Sequence, residues 1–355
     1  MMSARPAVLI GDRVLGPGHS AYIVAELSGN HNGDLDRAIR TIQAAAEAGA
    51  DAVKLQTYTA DTLTIDAEGP DFRVSGAGPW SGRTLYDLYQ EAHTPWEWHA
   101  ALFEAGRSAG VEVFSTPFDD TAVELLEGLG APAYKIASFE LPDDALLRRV
   151  AATGKPVILS TGMAGLEEIT HAVDVLRQAG AEELILLWCT SSYPAPDSAM
   201  GLGSIPVLRE VSGCLTGLSD HSLGTTAALV GVTLGACMIE KHLTLSRADG
   251  GVDSHFSLEP QELQQLVQEV RRAEAMVGQP SFRRPPAEEG SRVFRRSLYV
   301  VEDIVKGEPF TPRNLRSIRP GYGLPPKHLD VFLESRASRD ILRGTPLTWD
   351  MLCGS

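Results

Sequence analysis

CMIEKHLT, residues 237–244, follows LVGVTLGA, residues 229–236, a run of small and apolar residues. A stretch that reads as a buried strand ends here in an acid, a base and an imidazole: Glu240, Lys241 and His242. Buried charges are costly unless they are paired or liganded. A core strand that finishes on three ionisable groups therefore implies that its end opens on a polar site.

Seven earlier runs share this design. They are AYIVAEL from Ala21, DAVKLQTY from Asp51, VEVFSTPF from Val111, AYKIASFE from Ala133, PVILSTGM from Pro156, LILLWCTS from Leu184 and LTGLSDHS from Leu215. Each is β-rich and apolar, and helix-like segments separate them. DLDRAIRTIQAAAEAG and TPWEWHAALFEAGRSAG begin at candidate N-caps, Asp34 and Thr94, and end at Gly. Strands that alternate with helices pair in parallel through crossovers, and eight such units predict a (β/α)8 TIM barrel. An open doubly wound sheet is the competing architecture. It is disfavoured by the count of eight and because no G-x-G-x-x-G opens a helix after the first strand. The thirty-odd residues after the second strand, DTLTIDAEGPDFRVSGAGPWSGRTLYDLYQEA, read as a long loop of the functional kind.

Every run ends in polar residues, and in a barrel these ends converge on one mouth. Alternation sorts them by face. Lys54 and Gln56 share a face, as do Ser219 and His221, and Glu240 and His242. Lys135 and Ser138 have opposite parity, so one of them points away unless a bulge intervenes.

The chain has 355 residues, 43% apolar and 22% charged, with no apolar run of 18 residues. The apolar patch Ala7–Ile10 is too short for a secretory core. Cys189, Cys214, Cys237 and Cys353 are scattered without C-x-x-C, as expected of reduced thiols in a cytoplasmic protein. The net charge of −15 argues against nucleic acid as partner. An anionic ligand must then be captured by a local cluster of Lys, Ser and backbone N–H groups. Composition predicts a barrel domain over 1–280, a Pro/Gly-rich linker over 281–290 (within GQPSFRRPPAEEGSR) and a small, mostly irregular and β domain over 291–355. A domain that small is expected to dock on something.

Several residues carry chemistry in this pattern. His221 and His242, at adjacent strand ends, suit a divalent metal, with Glu26 or substrate completing the shell. Lys54 and Lys135, in otherwise apolar strands, suit capture of a phosphate or carboxylate, or a Schiff base, or a structural ion pair with Glu26 or Glu140. LSTGM, Leu159–Met163, leads to a helix whose first turn carries Glu167 and Glu168, and reads either as an anion pocket or as a simple cap. NHNGD, Asn30–Asp34, reads equally as turn chemistry. RPGYG, Arg319–Gly323, reads as a surface turn or as an Arg reaching a ligand.

Taken together, AELSGNHNGD, ADAVKLQTY, FSTPF, YKIASFE, PVILSTGM, CTSSYP, GLSDHS, IEKHLT and the late IRPGYG resemble the sialic acid synthase family, in order, from about residue 20 to 350. Leu85–His99, LYDLYQEAHTPWEWH, is most similar to its pseudaminic acid synthase branch. The resemblance implies a transferase that joins phosphoenolpyruvate to an amino-sugar aldehyde with release of phosphate. It also implies a TIM barrel followed by a C-terminal antifreeze-like (SAF) domain, and a domain-swapped homodimer. Carried over motif by motif, His221 and His242 bind Mn2+ or Mg2+. Lys54, Thr116, Lys135, Ser138, Ser160 and Ser219 hold phosphoenolpyruvate, and Glu26 handles a proton and water. Gln56, Glu140, Tyr193 and Asp253 face the sugar, Glu240 joins the substrate-binding set, and Arg319 of one subunit reaches the sugar in the other. Ser191 stands where the family often has Asn in CTN-x-YP, which alters one hydrogen bond. The expected sugar is 2,4-diacetamido-2,4,6-trideoxy-L-altrose, with the substrates of N-acetylneuraminate or legionaminic acid synthases as alternatives. A Schiff-base aldolase on Lys135 and a non-catalytic sugar-binding barrel are the rival activities.

Overall fold

The computed structural model describes residues 7–75 and 80–353. Residues 1–6, residues 76–79 of the long loop, and residues 354–355 lie outside the described residues. The chain divides after Gly278 into two compact units.

In the first unit a hairpin, β1 (Val8–Ile10) and β2 (Arg13–Leu15), precedes eight parallel strands. These are β3 (Tyr22–Glu26), β4 (Ala52–Thr57), β5 (Glu112–Pro117), β6 (Tyr134–Ile136), β7 (Val157–Ser160), β8 (Leu184–Cys189), β9 (Leu215–Asp220) and β10 (Met238–His242). They close in sequence order, with β10 pairing back on β3, so the fold is a (β/α)8 barrel.

Alternation builds two apolar layers. Inward residues low in the barrel, among them Tyr22, Val24, Ala52, Phe114, Ile158, Leu187 and Met238, form one cluster with Val8, Ile10 and Leu15 of the hairpin. Outward residues such as Ile23, Ala25, Val53 and Leu55 pack against the helices. Gly217 is needed inside: a Cβ there would lie 2.5 Å from the Met238 carbonyl and 2.6 Å from the Leu187 side chain. Higher along each strand the same inward positions become polar: Glu26 after Val24, Lys54 after Ala52, and Glu240 and His242 after Met238. The register sets Glu26 beside both Lys54 and His242.

Helix Leu35–Glu47 starts as its sequence predicts, with the Asp34 carboxylate accepting from Arg37 N at 3.0 Å. Thr94 is not a cap. It precedes Pro95, which disfavours helical backbone at residue 94. The chain instead makes a 3-10 turn at Trp96–Trp98 and becomes α-helical only over His99–Ala109. The long loop is also more ordered than its composition implies, since LYDLYQEA forms helix Leu85–Ala92, capped by Thr84.

The second unit carries an antiparallel pair, β11 (Ser297–Val300) and β12 (Leu315–Ile318), and its own core of Leu298, Val300, Ile304, Phe310, Phe332, Ile341 and Leu347 among others. Among the described residues no helix is long and apolar enough to cross a membrane.

Candidate active site

A cavity of about 560 Å³ opens at the carboxyl ends of the barrel strands, the end where this fold assembles its sites. Its floor is charged. The Lys54 ammonium lies 2.8 Å from Glu26 Oε2 and 3.7 Å from Glu240 Oε1, and donates to Thr116 Oγ1 at 3.2 Å. The Lys135 ammonium lies 3.9 Å from the same Glu240 oxygen and donates to the Ile136 carbonyl at 3.2 Å. Gln56 Nε2 donates to Glu26 Oε1 at 2.8 Å, and the Ser219 hydroxyl donates to Glu240 Oε1 at 3.0 Å.

All four charged side chains are buried, and burying an ion costs several kcal/mol unless partners repay it. Here the partners are unequal. Burial opposes ionisation of Glu240, yet Lys135 and Lys54 hold its carboxyl below the usual range. Burial raises the Glu26 carboxyl above its usual range despite Lys54, and the neighbouring Glu240 charge adds to the rise. Two carboxylates on one floor are thus driven apart, one a fixed anion and the other able to exchange a proton. The lysines divide likewise. Burial opposes the Lys54 charge, but two carboxylates lift its pKa, whereas burial and Lys54 leave Lys135 below the usual lysine range.

His221 and His242 meet above this floor, with ring centroids 5.4 Å apart. His221 Nδ1 lies 3.1 Å from the Thr190 carbonyl; the tautomer that donates there leaves Nε2 with its lone pair. Burial, with the positive charge of the lysines and of His221 in its protonated form, holds His242 well below the usual imidazole range, whereas the adjacent Cys189 raises His221 against the cost of its burial. His242 Nδ1 is buried without a hydrogen-bond partner and lies 3.9 Å from the Asp253 carboxylate. Among the described residues no group of three or more His, Cys, Asp or Glu side chains is placed to hold a metal ion. The pair fits an open site, in which a divalent cation takes two protein nitrogens and fills its shell with substrate oxygens and water. Ser160 Oγ, Glu240 Oε2 and Glu140 Oε2 are likewise buried without partners. Buried polar atoms are nearly always satisfied, so these orphans on the cavity wall mark where a ligand's polar groups belong.

Of the residues singled out in the sequence, Glu26, Lys54, Gln56, Lys135, Ser138, Glu140, Ser160, Tyr193, Ser219, His221, Glu240, His242 and Asp253 line this cavity. The parity conflict between Lys135 and Ser138 is resolved without a bulge. β6 ends at Ile136 and turns into the 3-10 segment Ser138–Glu140, so both side chains face in. Burial pushes the Glu140 carboxyl up to about 7. Thr116 sits behind Lys54, and Ser191 beside Cys189 at 3.8 Å, neither on the cavity surface. Arg319 belongs to the second unit, exposed after β12.

Three features that the sequence left open take definite places. Lys241 does not face the mouth: it is outward, 2.8 Å from Asp220 on the adjacent strand, and donates to the Ser222 carbonyl at 2.6 Å. Asp220, counted with the polar ends, goes with it. The LSTGM turn contributes Ser160, and at the start of the helix that follows Gly165 N donates to the Glu168 carboxylate at 2.7 Å. NHNGD is structural: Asn30 Nδ2 donates to the Leu243 carbonyl and to Ser257 Oγ, each at 2.9 Å, and Asp34 caps a helix.

The sequence reading passed over Ser28, Tyr58, Phe118 and Cys189, which line the same cavity. Parity marks them, since Ser28 lies two beyond Glu26 and Tyr58 two beyond Gln56. Leu63, Leu85, Leu88 and Tyr89 carry no such mark, because they arrive from the long loop.

Residues 41–281 match the NeuB family and residues 295–352 the SAF domain. The chain is 43% identical to a pseudaminic acid synthase of Campylobacter jejuni, over 92% of this chain and 95% of that protein. It is 42% identical to the pseudaminic acid synthase of Helicobacter pylori, over 92% and 96%. Among solved structures, the N-acetylneuraminic acid synthetase of Leptospira borgpetersenii matches with a TM-score of 0.73 at 32% identity, covering 81% of this chain and 95% of that one.

Proposed function

Because this chain belongs to the NeuB family, we propose that it condenses phosphoenolpyruvate with 2,4-diacetamido-2,4,6-trideoxy-L-altrose and water, giving pseudaminic acid and phosphate. The observation that carries this reading is the floor of Lys54, Lys135, Glu26 and Glu240 directly beneath two adjoining imidazoles. The identity to pseudaminic acid synthases supports the choice of sugar.

The anionic substrate pairs with Lys54 and Lys135 and takes hydrogen bonds from Ser138 and Ser160, and from Ser219 once its hydroxyl turns from Glu240, with Thr116 holding the Lys54 ammonium in place. Its C3 attacks the aldehyde carbon of the open-chain sugar, forming the C–C bond, and the carbonyl oxygen takes up a proton. Cationic character then develops at C2 of the former enol, where water adds and gives up a proton. Glu26, held by Gln56, is the group with the pKa and position to exchange it. The tetrahedral intermediate expels phosphate and leaves the 2-keto acid. Holding both substrates in one cavity supplies several kcal/mol of the barrier lowering. His221 and His242 would hold Mn2+ or Mg2+, which when bound polarises the aldehyde oxygen. Gln56, Glu140, Tyr193 and Asp253 orient the sugar.

The resemblance to the family leads us to propose a homodimer with exchanged small domains, and the charges of the two units suit docking of one on the other. Residues 1–278 carry 18 basic against 37 acidic side chains, net −19, whereas residues 279–355 carry 13 against 9, net +4. A basic small unit is electrostatically suited to an acidic barrel, and Arg319 is the side chain we assign to the neighbouring sugar site. All four cysteines are unpaired, which fits a reducing cytoplasm.

The test is phosphate release from phosphoenolpyruvate with the trideoxy sugar, N-acetylmannosamine and a bacillosamine-derived sugar, with and without Mn2+. Release should be fastest with the first, require the metal, and vanish in His221→Ala and His242→Ala while far-UV circular dichroism is unchanged. Full activity of either variant in chelator-treated buffer refutes the metal assignment. Borohydride trapping of pyruvate on Lys135 without phosphate release replaces the synthase by an aldolase.

A further inference from the structure

The charged floor takes up only part of the cavity. Above it stands a wall that the reaction, as derived, does not use. Tyr58 and Phe118 continue the inward parity of β4 and β5 past the strand ends, and their rings meet edge to face with centroids 5.1 Å apart. Tyr89 meets Tyr58 in the same manner at 5.9 Å. Leu63, from the short helix Ala60–Leu63, and Leu85 and Leu88, from helix Leu85–Ala92, line the cavity beside them. The two helices are tied together by the Tyr86 hydroxyl, 3.1 Å from the Asp61 carboxylate. The two helices after β4 thus lay an apolar, aromatic surface into a cavity whose floor is ionic, while Arg73 and Ser75, between them in the chain, line it elsewhere. The cavity is continuous, so a sugar whose aldehyde reaches the floor can bring its non-reacting end to this surface.

We propose that Leu63, Leu85 and Leu88, with Tyr58, Tyr89 and Phe118, form the specificity wall for the amino sugar. It selects substrates that present methyl groups there, a deoxy terminal carbon and the methyl of a second acetamido group, over sugars that present hydroxyls. The physical basis is differential desolvation. A methyl buried against the three leucines leaves water at a gain, whereas a hydroxyl buried at that part of the wall gives up its water for side chains that offer no partner. One such difference is worth about tenfold to a hundredfold in kcat/KM. The inference rests on the synthase reading in so far as the aldehyde must sit on the floor.

The experiment compares the full-length protein with Leu63→Gln, Leu85→Gln and Leu85→Met, using phosphoenolpyruvate with either the trideoxy diacetamido sugar or N-acetylmannosamine. Each Gln variant should lose about tenfold in kcat/KM for the trideoxy sugar, through KM for that sugar. The KM for phosphoenolpyruvate should not move, Leu85→Met should retain activity, and the ratio of the two sugars should shift towards N-acetylmannosamine. Equal losses for both sugars, or none, overturn the proposal. Saturation-transfer NMR on the trideoxy sugar provides a readout that needs no turnover: its methyl protons should saturate more strongly than its ring protons, and less so in Leu85→Gln. If that pattern holds while no sugar releases phosphate, the synthase reading fails and the wall stands. If the methyl protons are not favoured, the wall falls whatever the turnover.

Discussion

Lys54 and Lys241 are both enclosed in barrel strands, yet they serve opposite faces. Lys54 points inward to two carboxylates on the floor of an open cavity, whereas Lys241 points outward to Asp220, sealed between strands and helices. Lys54→Gln is expected to raise KM for phosphoenolpyruvate by tenfold or more, through loss of a charge-assisted contact. Lys241→Met is expected to leave that KM unchanged and to lower the unfolding free energy by about 3–5 kcal/mol, because it strands the Asp220 carboxylate without a counter-charge. Steady-state kinetics and urea unfolding on the two variants check this. A raised KM in Lys241→Met with undiminished stability would reverse the assignment. Parity in EKH already separates Lys241 from its two neighbours. What parity leaves open is which face holds the site, because both carry charge at these strand ends.

At the scale of elements, the loop from β3 into its helix is fastened through His31. Its Nδ1 accepts from Gly33 N at 3.0 Å, its Nε2 lies 3.3 Å from the Ala92 carbonyl, and its ring packs edge-on against Trp98. This arrangement needs the neutral ring, since a second proton would have to occupy the nitrogen that accepts from Gly33. Burial lowers the His31 pKa to about 4. Between pH 6.5 and 4 the unfolded chain therefore binds a proton that the folded chain refuses, and stability falls as the pH falls. The loss approaches roughly 3 kcal/mol at pH 4, and the contribution is intact above pH 6.5. His99, also lowered by burial, acts in the same direction. Urea unfolding from pH 4 to 7 should show a shallower slope for His31→Gln than for the parent protein; parallel curves would discard the account. NHNGD discloses its turn through Asn and Gly, but that His31 is the fastening depends on helix Leu85–Ala92, some sixty residues away.

At the scale of the whole molecule, the exchanged dimer predicts complementation. Arg319→Ala should weaken sugar binding without altering oligomeric state, and His242→Ala should be inactive. If Arg319 serves the neighbouring barrel, mixing the two variants at equal amounts under exchange regenerates one complete site in each mixed dimer. About a quarter of parental turnover should then return. No recovery in a mixture shown by mass to contain mixed dimers would place Arg319 on its own subunit's site. The eight-stranded barrel, the shared faces of Lys54 and Gln56, of Ser219 and His221 and of Glu240 and His242, and the change of texture near residue 280 were legible in the sequence. Period-two alternation and strand–helix alternation are local properties, and the backbone obeys them wherever the chain is buried. The joint facing of Lys135 and Ser138, the unequal charges of Glu26 and Glu240, and the arrival of Leu63, Leu85 and Leu88 over the mouth were decided by tertiary structure alone. Each depends on distance between residues remote along the chain: where a strand stops, how closely two carboxylates share two lysines, and which loop closure brings back to the cavity. Coulombic and desolvation energies follow those distances and not sequence separation.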